Sequence, residues 1–336
     1  MLEAVKGVQG KKVINFLLNN AIIILLVAIS IVVGILRPSF FSTLTASNLM
    51  RNTAARFIIA LGVSGCLITR GTDLSAGRSV GLAACIAATF MQRSDYASKV
   101  YPNMGDVNIL LVLLGVVLVA VMFGAINGTV ISFLNVPPFI ATLGMQTIIY
   151  GICLVFTGAQ PIGGFREVYT NVASGSLFGI TVLPYLAIIS AVCGVIMWFV
   201  YNKTAHGKYL YAIGGNENAA EVNGINTRRT KIIIYATAGA MYGLAGFLLG
   251  GKAGGTSVNL GWGYELEAIA GCTIGGVSTN GGVGRVSGIL VGVLVFELLR
   301  IAMQFMGVEP SYTYIVQGLV IVLAVAVDMR KYVAKK

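Results

Sequence analysis

The segment from Val107 to Phe165 contains no Asp, Glu, Lys or Arg in 59 consecutive residues. A helix crosses the hydrocarbon core of a bilayer with about 20 apolar residues, so this segment is too long for one helix and fits two. The turn Asn135-Val136-Pro137-Pro138 lies between the two halves, where proline ends one helix and favours the start of another. The sequence therefore predicts adjacent transmembrane helices joined by a tight turn.

The composition extends this prediction to the whole chain. Apolar residues make up 57% and charged residues only 10% of the sequence, whereas a soluble protein carries about 25% charged residues. A soluble enzyme and a disordered chain are both excluded, because disorder needs low hydrophobicity and high charge. The fold class predicted is an all-α polytopic membrane protein, in which the 43 glycines allow close helix packing.

The apolar stretches predict about ten transmembrane helices in a single membrane domain, residues 13–328. A basic N-terminal segment, 1–12, precedes the first span, and the absence of a cleavage site favours a retained span over a signal peptide. The predicted spans are 13–36, 51–69, 74–92, 109–134, 139–158, 182–201, 231–251, 264–277, 286–304 and 312–328.

The basic residues predict the orientation. Ten spans would place 15 of the 23 Lys and Arg residues on the side of both termini and 8 on the other side. Loops rich in Lys and Arg stay in the cytoplasm, so both termini, the tail 329–336 and the long loop 202–230 are predicted to be cytoplasmic. The net charge of +11 is explained in this way and does not indicate binding of nucleic acid.

A short internal similarity suggests two halves. Phe133-Leu-Asn-Val-Pro-Pro138 resembles Phe305-Met-Gly-Val-Glu-Pro310, and the two segments follow the fourth and the ninth predicted spans. They would lie on opposite faces of the membrane, as in an inverted repeat of five plus five helices. Chance similarity remains the alternative for a match this short.

The chain lacks the usual groups for catalysis. His206 is the only histidine, and the five cysteines lie in or beside apolar stretches without a C-x-x-C pair, so core thiols are expected. The stretch from Gly246 to Ala253 nearly matches a phosphate-binding loop, but Ala253 lacks the hydroxyl that binds Mg²⁺. We interpret these glycines as packing residues and predict no enzymatic activity.

Six polar residues in or beside the spans are candidates for a translocation pathway, because polar groups at membrane depth usually face protein or a water-filled route. Asp73 and Ser75 lie in a glycine-rich break between two spans, where capping of the next helix is the alternative role. A similar break, Gly276–Arg285, lies between two later spans. The six candidates are Asp73, Ser75, Asn127, Tyr264, Glu265 and Asn280.

The loop 202–230 contains a short predicted helix. Asn216 is a favourable N-cap, Glu217–Val222 favours helix, and Gly224 is a helix stop. We name residues 216–224 the coupling segment; they are Asn216, Glu217, Asn218, Ala219, Ala220, Glu221, Val222, Asn223 and Gly224. Taken alone, the segment is either a solvated connector or a helix that docks on a partner.

Three motifs resemble one family across residues 45–330, in the same order. They are T-D-L-S-A-G-R at 72–78, G-K-Y-L-Y-A-I-G-G-N at 207–216, and Y-E-L-E-A-I-A followed by G-G-V-S and G-G-V-G-R within 264–285. They are similar to the membrane permeases of carbohydrate ABC importers of the ribose and galactose class. Within this class, the chain is similar to the galactose/methyl galactoside type in three features: Thr72, the residues Ala76-Gly77-Arg78 at the end of the first motif, and the polar insertion 92–108.

The resemblance implies a set of partners and a location. Two permease copies would form the channel in the bacterial cytoplasmic (inner) membrane, and two ATPase subunits would dock on the cytoplasmic face. The coupling segment would be the coupling helix that seats on the ATPase. An extracytoplasmic sugar-binding protein would deliver the monosaccharide. This chain would bind no cofactor, since ATP and Mg²⁺ belong to the ATPase.

Three alternatives to a galactose importer are considered. A permease for ribose or another monosaccharide would have the same architecture. An ion-coupled secondary transporter would need a carboxylate in mid-span, for which Glu297 is the candidate, although Glu297 can equally pair with Arg300. A non-transporting membrane scaffold would not need the coupling segment.

Overall fold

The computed structural model describes residues 21–333, and no β-strand is present in that range. The predicted all-α class is confirmed for this part of the chain. Its α-helices in chain order are α1 (Ala21–Leu36), α2 (Thr43–Ile68), α3 (Ala76–Phe90), α4 (Ile109–Phe133), α5 (Pro138–Thr157), α6 (Glu167–Ser174), α7 (Tyr185–Lys203), α8 (Ala205–Gly215), α9 (Glu217–Val222), α10 (Thr227–Ala253), α11 (Tyr264–Ile274), α12 (Val286–Phe305) and α13 (Pro310–Val333).

Each predicted span overlaps a helix, which confirms a polytopic membrane protein. Five helices, α4, α5, α7, α10 and α12, are long and apolar enough to cross a membrane. Shorter apolar helical stretches lie in α1, α3 and α13, so the count of ten spans stays a prediction. The N-terminal segment 1–12, residues 13–20 of the first span and residues 334–336 of the tail lie outside the described residues.

The largest difference between a predicted span and its helix is at the start of α2. Helix α2 begins at Thr43 rather than near residue 51, because the Ser42 side chain caps it by accepting from the Thr45 backbone N–H at 3.2 Å. The loop 202–230 is mostly helical. Within it Thr204 caps α8, whose residues Leu210 and Ile213 are buried.

Helix α10 forms the centre of the bundle and packs against α2, α3 and α4. Its glycines allow this contact, since a Cβ at Gly239 would lie 2.3 Å from the carbonyl oxygen of Ala120 on α4. A Cβ at Gly246 would lie 2.4 Å from the carbonyl oxygen of Val80 on α3. The interpretation of Gly246 as a packing residue is therefore confirmed. All five cysteines are free and buried.

Helices α3 and α11 are short, with 15 and 11 residues. At 1.5 Å per residue they are about 22 and 16 Å long, less than the ~30 Å hydrocarbon core. Their N-terminal ends meet, because a Cβ at Gly77 of α3 would lie 2.0 Å from Oε2 of Glu265 on α11. The same Cβ would lie 2.3 Å from the carbonyl oxygen of Gly261. The fold thus brings the starts of two broken helices together.

The two similar segments have the same local structure. Helix α4 ends at Phe133 and α5 begins at Pro138, while α12 ends at Phe305 and α13 begins at Pro310. The third residue of each segment has a positive φ, 53° at Asn135 and 72° at Gly307. This agreement supports an internal repeat, and the two inverted five-helix halves stay a prediction.

Candidate functional site

The coupling segment folds as its sequence predicts. The Asn216 side chain caps α9 by accepting from the Ala219 backbone N–H at 3.0 Å. Helix α9 covers Glu217–Val222, and the chain turns away at Gly224, where φ is +82°. Glycine favours this left-handed conformation because it has no Cβ.

Most of the coupling segment is accessible on the surface of the chain. Val222 is 89% exposed, whereas Ala220 is 4% exposed and faces the protein. The outer face of α9 is therefore open to contact with another protein. The exposed residues of the segment are Asn216, Asn218, Ala219, Glu221, Val222, Asn223 and Gly224.

Two polar contacts attach α9 to the central helix α10. Nζ of Lys231 lies 2.5 Å from Oε1 of Glu217. The hydroxyl of Thr227 donates to Oε1 of Glu221 at 2.5 Å. A force on α9 would therefore reach α10 directly, and through it the helices that pack around α10.

Helix α8, which carries the second motif, contacts the end of α2 just before the first motif and the loop of the third motif. Arg70, in the break after α2, donates to the carbonyl oxygens of Gly214 and Gly215 at 2.8 and 2.5 Å. The backbone N–H of Gly282 donates to the carbonyl oxygen of Ile68 at 2.8 Å. A Cβ at Gly214 would lie 1.8 Å from that Ile68 oxygen, so only glycine fits here.

Burial shifts the pKa of two groups on α8. The Tyr211 hydroxyl donates to the carbonyl oxygen of Gly284 at 2.9 Å, and burial raises the pKa of Tyr211. Burial lowers the pKa of His206 because desolvation disfavours the charged imidazole. Both groups are therefore neutral at pH 7.

A polar cleft of about 470 Å³ lies between α9, the break after α2 and the turn between α4 and α5. The Tyr235 ring forms part of its wall, and the hydroxyl of Tyr235 is buried without a hydrogen-bond partner among residues 21–333. Side chains in its walls include Arg70, Asn135, Glu217, Arg228, Lys231 and Tyr235.

Three of the pathway candidates form one buried polar cluster with Tyr242 of α10. Oδ1 of Asp73 accepts from the Ser75 backbone N–H at 3.0 Å and from the Ser75 hydroxyl at 2.6 Å. Oδ2 of Asp73 accepts from the Tyr242 hydroxyl at 3.1 Å, and Nδ2 of Asn127 donates to the Ser75 hydroxyl at 2.9 Å. Asp73 is fully buried and its carboxylate binds the backbone of Ser75, the N-cap residue of α3, but the Ser75 side chain makes no capping hydrogen bond to that helix. The pathway role and the capping role of these residues stay predictions.

Tyr264, Glu265 and Glu267 open α11; Tyr264 and Glu267 both contact Arg56, whereas Glu265 faces α3. Nε of Arg56 lies 2.6 Å from Oε2 of Glu267, and the Arg56 guanidinium lies 5.0 Å from the centre of the Tyr264 ring. Glu265 is 3% exposed and faces Gly77 of α3. Carboxylates two residues apart thus do not share a helical face, as the spacing predicts.

The remaining two carboxylate and amide candidates lie elsewhere. Asn280 is half-buried in the loop between α11 and α12, where its Nδ2 lies 3.3 Å from the Met329 sulfur. Glu297 is fully buried and pairs with Arg300 at 2.6 Å, as one of its two predicted roles requires. It also lies 3.5 Å from Nε of Arg56.

Sequence reasoning missed Tyr242 and the Arg56 pair. Tyr235 and Tyr242 are seven residues apart, which places two hydroxyls on one face of an otherwise apolar helix. That spacing could have identified them as neighbours of a buried polar group. Nothing in the sequence signals that Arg56 pairs with Glu267, which is 211 residues away.

Fold and site together define a polytopic membrane protein in which a short exposed helix is tied to the central helix of the bundle. Residues 45–325 match the family described as the permease component of the branched-chain amino acid transport system. The chain belongs to this family of transport permeases.

Relatives with known names are also transport permeases. The galactose/methyl galactoside import permease protein of Haemophilus influenzae is 43% identical over 335 residues, covering 98% of this chain and 99% of that protein. The protein of that name from Escherichia coli is 42% identical over 334 residues, covering 98% and 99%. The ribose import permease protein of Bacillus subtilis is 37% identical over 303 residues, covering 90% and 89%. No solved structure matches this chain.

The resemblance stated from the three motifs is therefore confirmed. The match to the named permeases extends over nearly the full length of both chains and so includes the coupling segment.

Proposed function

We propose that this chain is the transmembrane permease subunit of an ATP-driven importer that moves galactose or a methyl galactoside into the cytoplasm. The observation that carries the proposal is the 42–43% identity, over nearly the full length, to permeases named for those sugars. Ribose is the second candidate, supported by the 37% identity to a ribose permease.

The partners follow from this role. Two copies of the permease form the channel, two ATPase subunits bind ATP and Mg²⁺ on the cytoplasmic face, and a sugar-binding protein delivers substrate outside. The permease itself neither binds a cofactor nor catalyses a reaction. It lies in the bacterial cytoplasmic (inner) membrane with both termini inside, and the excess of Lys and Arg on that side supports this orientation.

The coupling segment is the proposed contact with the ATPase. Val222 and its exposed neighbours provide a surface, and the contacts of Glu217 and Glu221 with α10 transmit its displacement to the bundle. A short helix that moves as a rigid body can rearrange the helices attached to it. Nucleotide-driven closure of the ATPase would act on the channel in this way.

Uptake by reconstituted vesicles tests the function. Vesicles holding the permease, its ATPase and the sugar-binding protein are expected to accumulate labelled galactose only when ATP is supplied to the ATPase side. Vesicles with the permease alone and a proton or sodium gradient are the control. Uptake in the control would refute the proposal and support the ion-coupled alternative, for which Glu297 is the carboxylate.

A matched pair of substitutions tests the role of α9. Ala220 lies on the buried face of α9, so Ala220→Leu is expected to displace the helix and abolish galactose uptake while membrane insertion stays normal. Ala212→Leu makes the same change at an exposed position of α8 and is expected to keep wild-type uptake. Equal uptake by both variants would contradict a coupling role for α9.

A further inference from the structure

An exposed tryptophan lies beside the point where α3 and α11 meet. The Trp262 side chain is 68% exposed and lies two residues before Tyr264, the first residue of α11. The Arg78 guanidinium lies 5.6 Å from the centre of the Trp262 ring and 4.1 Å from the centre of the Tyr150 ring on α5. Arg78 also donates to the carbonyl oxygen of Val258 at 3.0 Å, which holds the cation between the two rings.

A carboxylate oxygen without a hydrogen-bond partner lies next to this group. Glu265 is 3% exposed, and its Oε2 has no hydrogen-bond partner among residues 21–333. It faces the first turn of α3 at Gly77 and lies within electrostatic reach of Arg78. A buried polar atom that stays unpaired costs free energy, so such an atom is rare unless a ligand or water completes it.

The chemistry of this group matches a monosaccharide. The apolar face of a pyranose ring packs on an aromatic side chain, and its hydroxyls bind carboxylate and guanidinium groups. Here an exposed indole, a phenol ring, a guanidinium and a carboxylate with one unpaired oxygen come from four separate elements: the 254–263 loop, α5, α3 and α11. Ligand sites combine apolar surface with a few convergent polar groups in this way.

We propose that Trp262, Tyr150, Arg78 and Glu265 form a contact site for a neutral hexose during its passage through the permease. The inference rests on the proposed function and adds a site to it. The indole provides the stacking surface, Glu265 accepts from sugar hydroxyls, and Arg78 donates to them. The competing role for Trp262 is that of an interfacial anchor that faces lipid headgroups.

The two tryptophans of the chain allow a direct binding test. The full-length Trp198→Phe permease in nanodiscs has Trp262 as its only tryptophan and is titrated with galactose from about 0.1 to 100 mM. A saturable change in its fluorescence is expected. Two controls are expected to show no saturable change: the Trp262→Phe variant, which retains Trp198, titrated with galactose, and the Trp198→Phe permease titrated with glycine betaine at equal osmolality.

Brominated lipids separate the two roles of Trp262. If galactose reduces the quenching of Trp262 fluorescence by brominated lipids, the result supports a sugar site. Quenching that galactose does not alter, together with no saturable response, would assign Trp262 to the lipid interface and overturn the proposal.

Transport by the assembled complex provides a second readout. Trp262→Ala is expected to lower kcat/KM for galactose uptake about tenfold, corresponding to about 1.4 kcal/mol. Trp262 is exposed, so this change does not threaten folding, and Trp198→Ala is the control. Wild-type kinetics in Trp262→Ala would refute the site alone, whereas failure of the wild-type complex to import galactose would refute the proposed function.

Discussion

The substitution Gly214→Ala tests whether the contact of α8 with the end of α2 and with the 276–285 loop holds the coupling segment in place. A methyl group at Gly214 would lie 1.8 Å from the carbonyl oxygen of Ile68 and 2.5 Å from the backbone nitrogen of Gly282. Both neighbours are backbone atoms, so neither can rotate away. Helix α8 must move, and α9 follows it directly in the chain.

The expected cost can be worked from these contacts. Overpacking of a close contact costs about 1–3 kcal/mol. Displacement of α8 also weakens the hydrogen bond from Arg70 to the carbonyl oxygen of Gly214, and a bond to a charged group is worth about 1.5–3 kcal/mol. We expect Gly214→Ala to lower the free energy of unfolding by about 3–5 kcal/mol.

Gly215→Ala is a matched control. No atom among the described residues lies within 4 Å of a Cβ at Gly215, and alanine favours helix over glycine. Thermal unfolding of the purified permease and galactose uptake by the reconstituted complex are measured for both variants. Gly214→Ala is expected to lose both stability and uptake, and Gly215→Ala neither. Indistinguishable variants would refute the assignment of the close contact at Gly214.

Three further predictions concern charged groups. Glu297→Gln is expected to retain ATP-driven uptake. It is expected to lower the free energy of unfolding by about 3 kcal/mol, because Arg56 then has one carboxylate partner fewer. Loss of uptake at unchanged stability would favour ion coupling. Lys231→Ala is expected to change stability by less than about 1 kcal/mol, because its pair with Glu217 is partly exposed, but to lower the sugar imported per ATP hydrolysed. Burial lowers the folded-state pKa of His206, so the unfolded chain binds the proton more readily and protonation favours unfolding. Stability in thermal unfolding is therefore expected to fall as the pH drops through about 6.5. The variant His206→Gln is expected to show a smaller fall. An equal slope in both proteins would contradict that sign.

Local features of the sequence are sufficient to predict the structure of the coupling segment. An N-cap at Asn216, helix-favouring residues and a glycine stop at Gly224 act within one turn of the chain, so their pattern predicts the structure. The glycine-rich break before α3 was recognisable for the same reason. The helical state of α8 was missed, because its glycine content lowers helix propensity while its contacts with α2 and the 276–285 loop stabilise it.

Long-range polar partners could not be predicted. Asp73 and Tyr242 are 169 residues apart, and the periodicity of each span shows only that both lie in apolar surroundings. The meeting of α3 and α11 likewise depends on how the bundle packs. The six pathway candidates accordingly separate into a buried cluster around Asp73, a pair at the start of α11, and Asn280 near Met329.

Photocrosslinking from two equally exposed positions tests the central claim most directly. Val222 on α9 is 89% exposed, and Phe178, in the segment between α6 and α7, is 88% exposed. With a photoreactive phenylalanine at either position in the assembled complex, position 222 is expected to crosslink to the ATPase and position 178 is not. Crosslinking of the ATPase from position 178, or its absence from position 222, would contradict the assignment of α9 as the helix that couples ATP hydrolysis to sugar import.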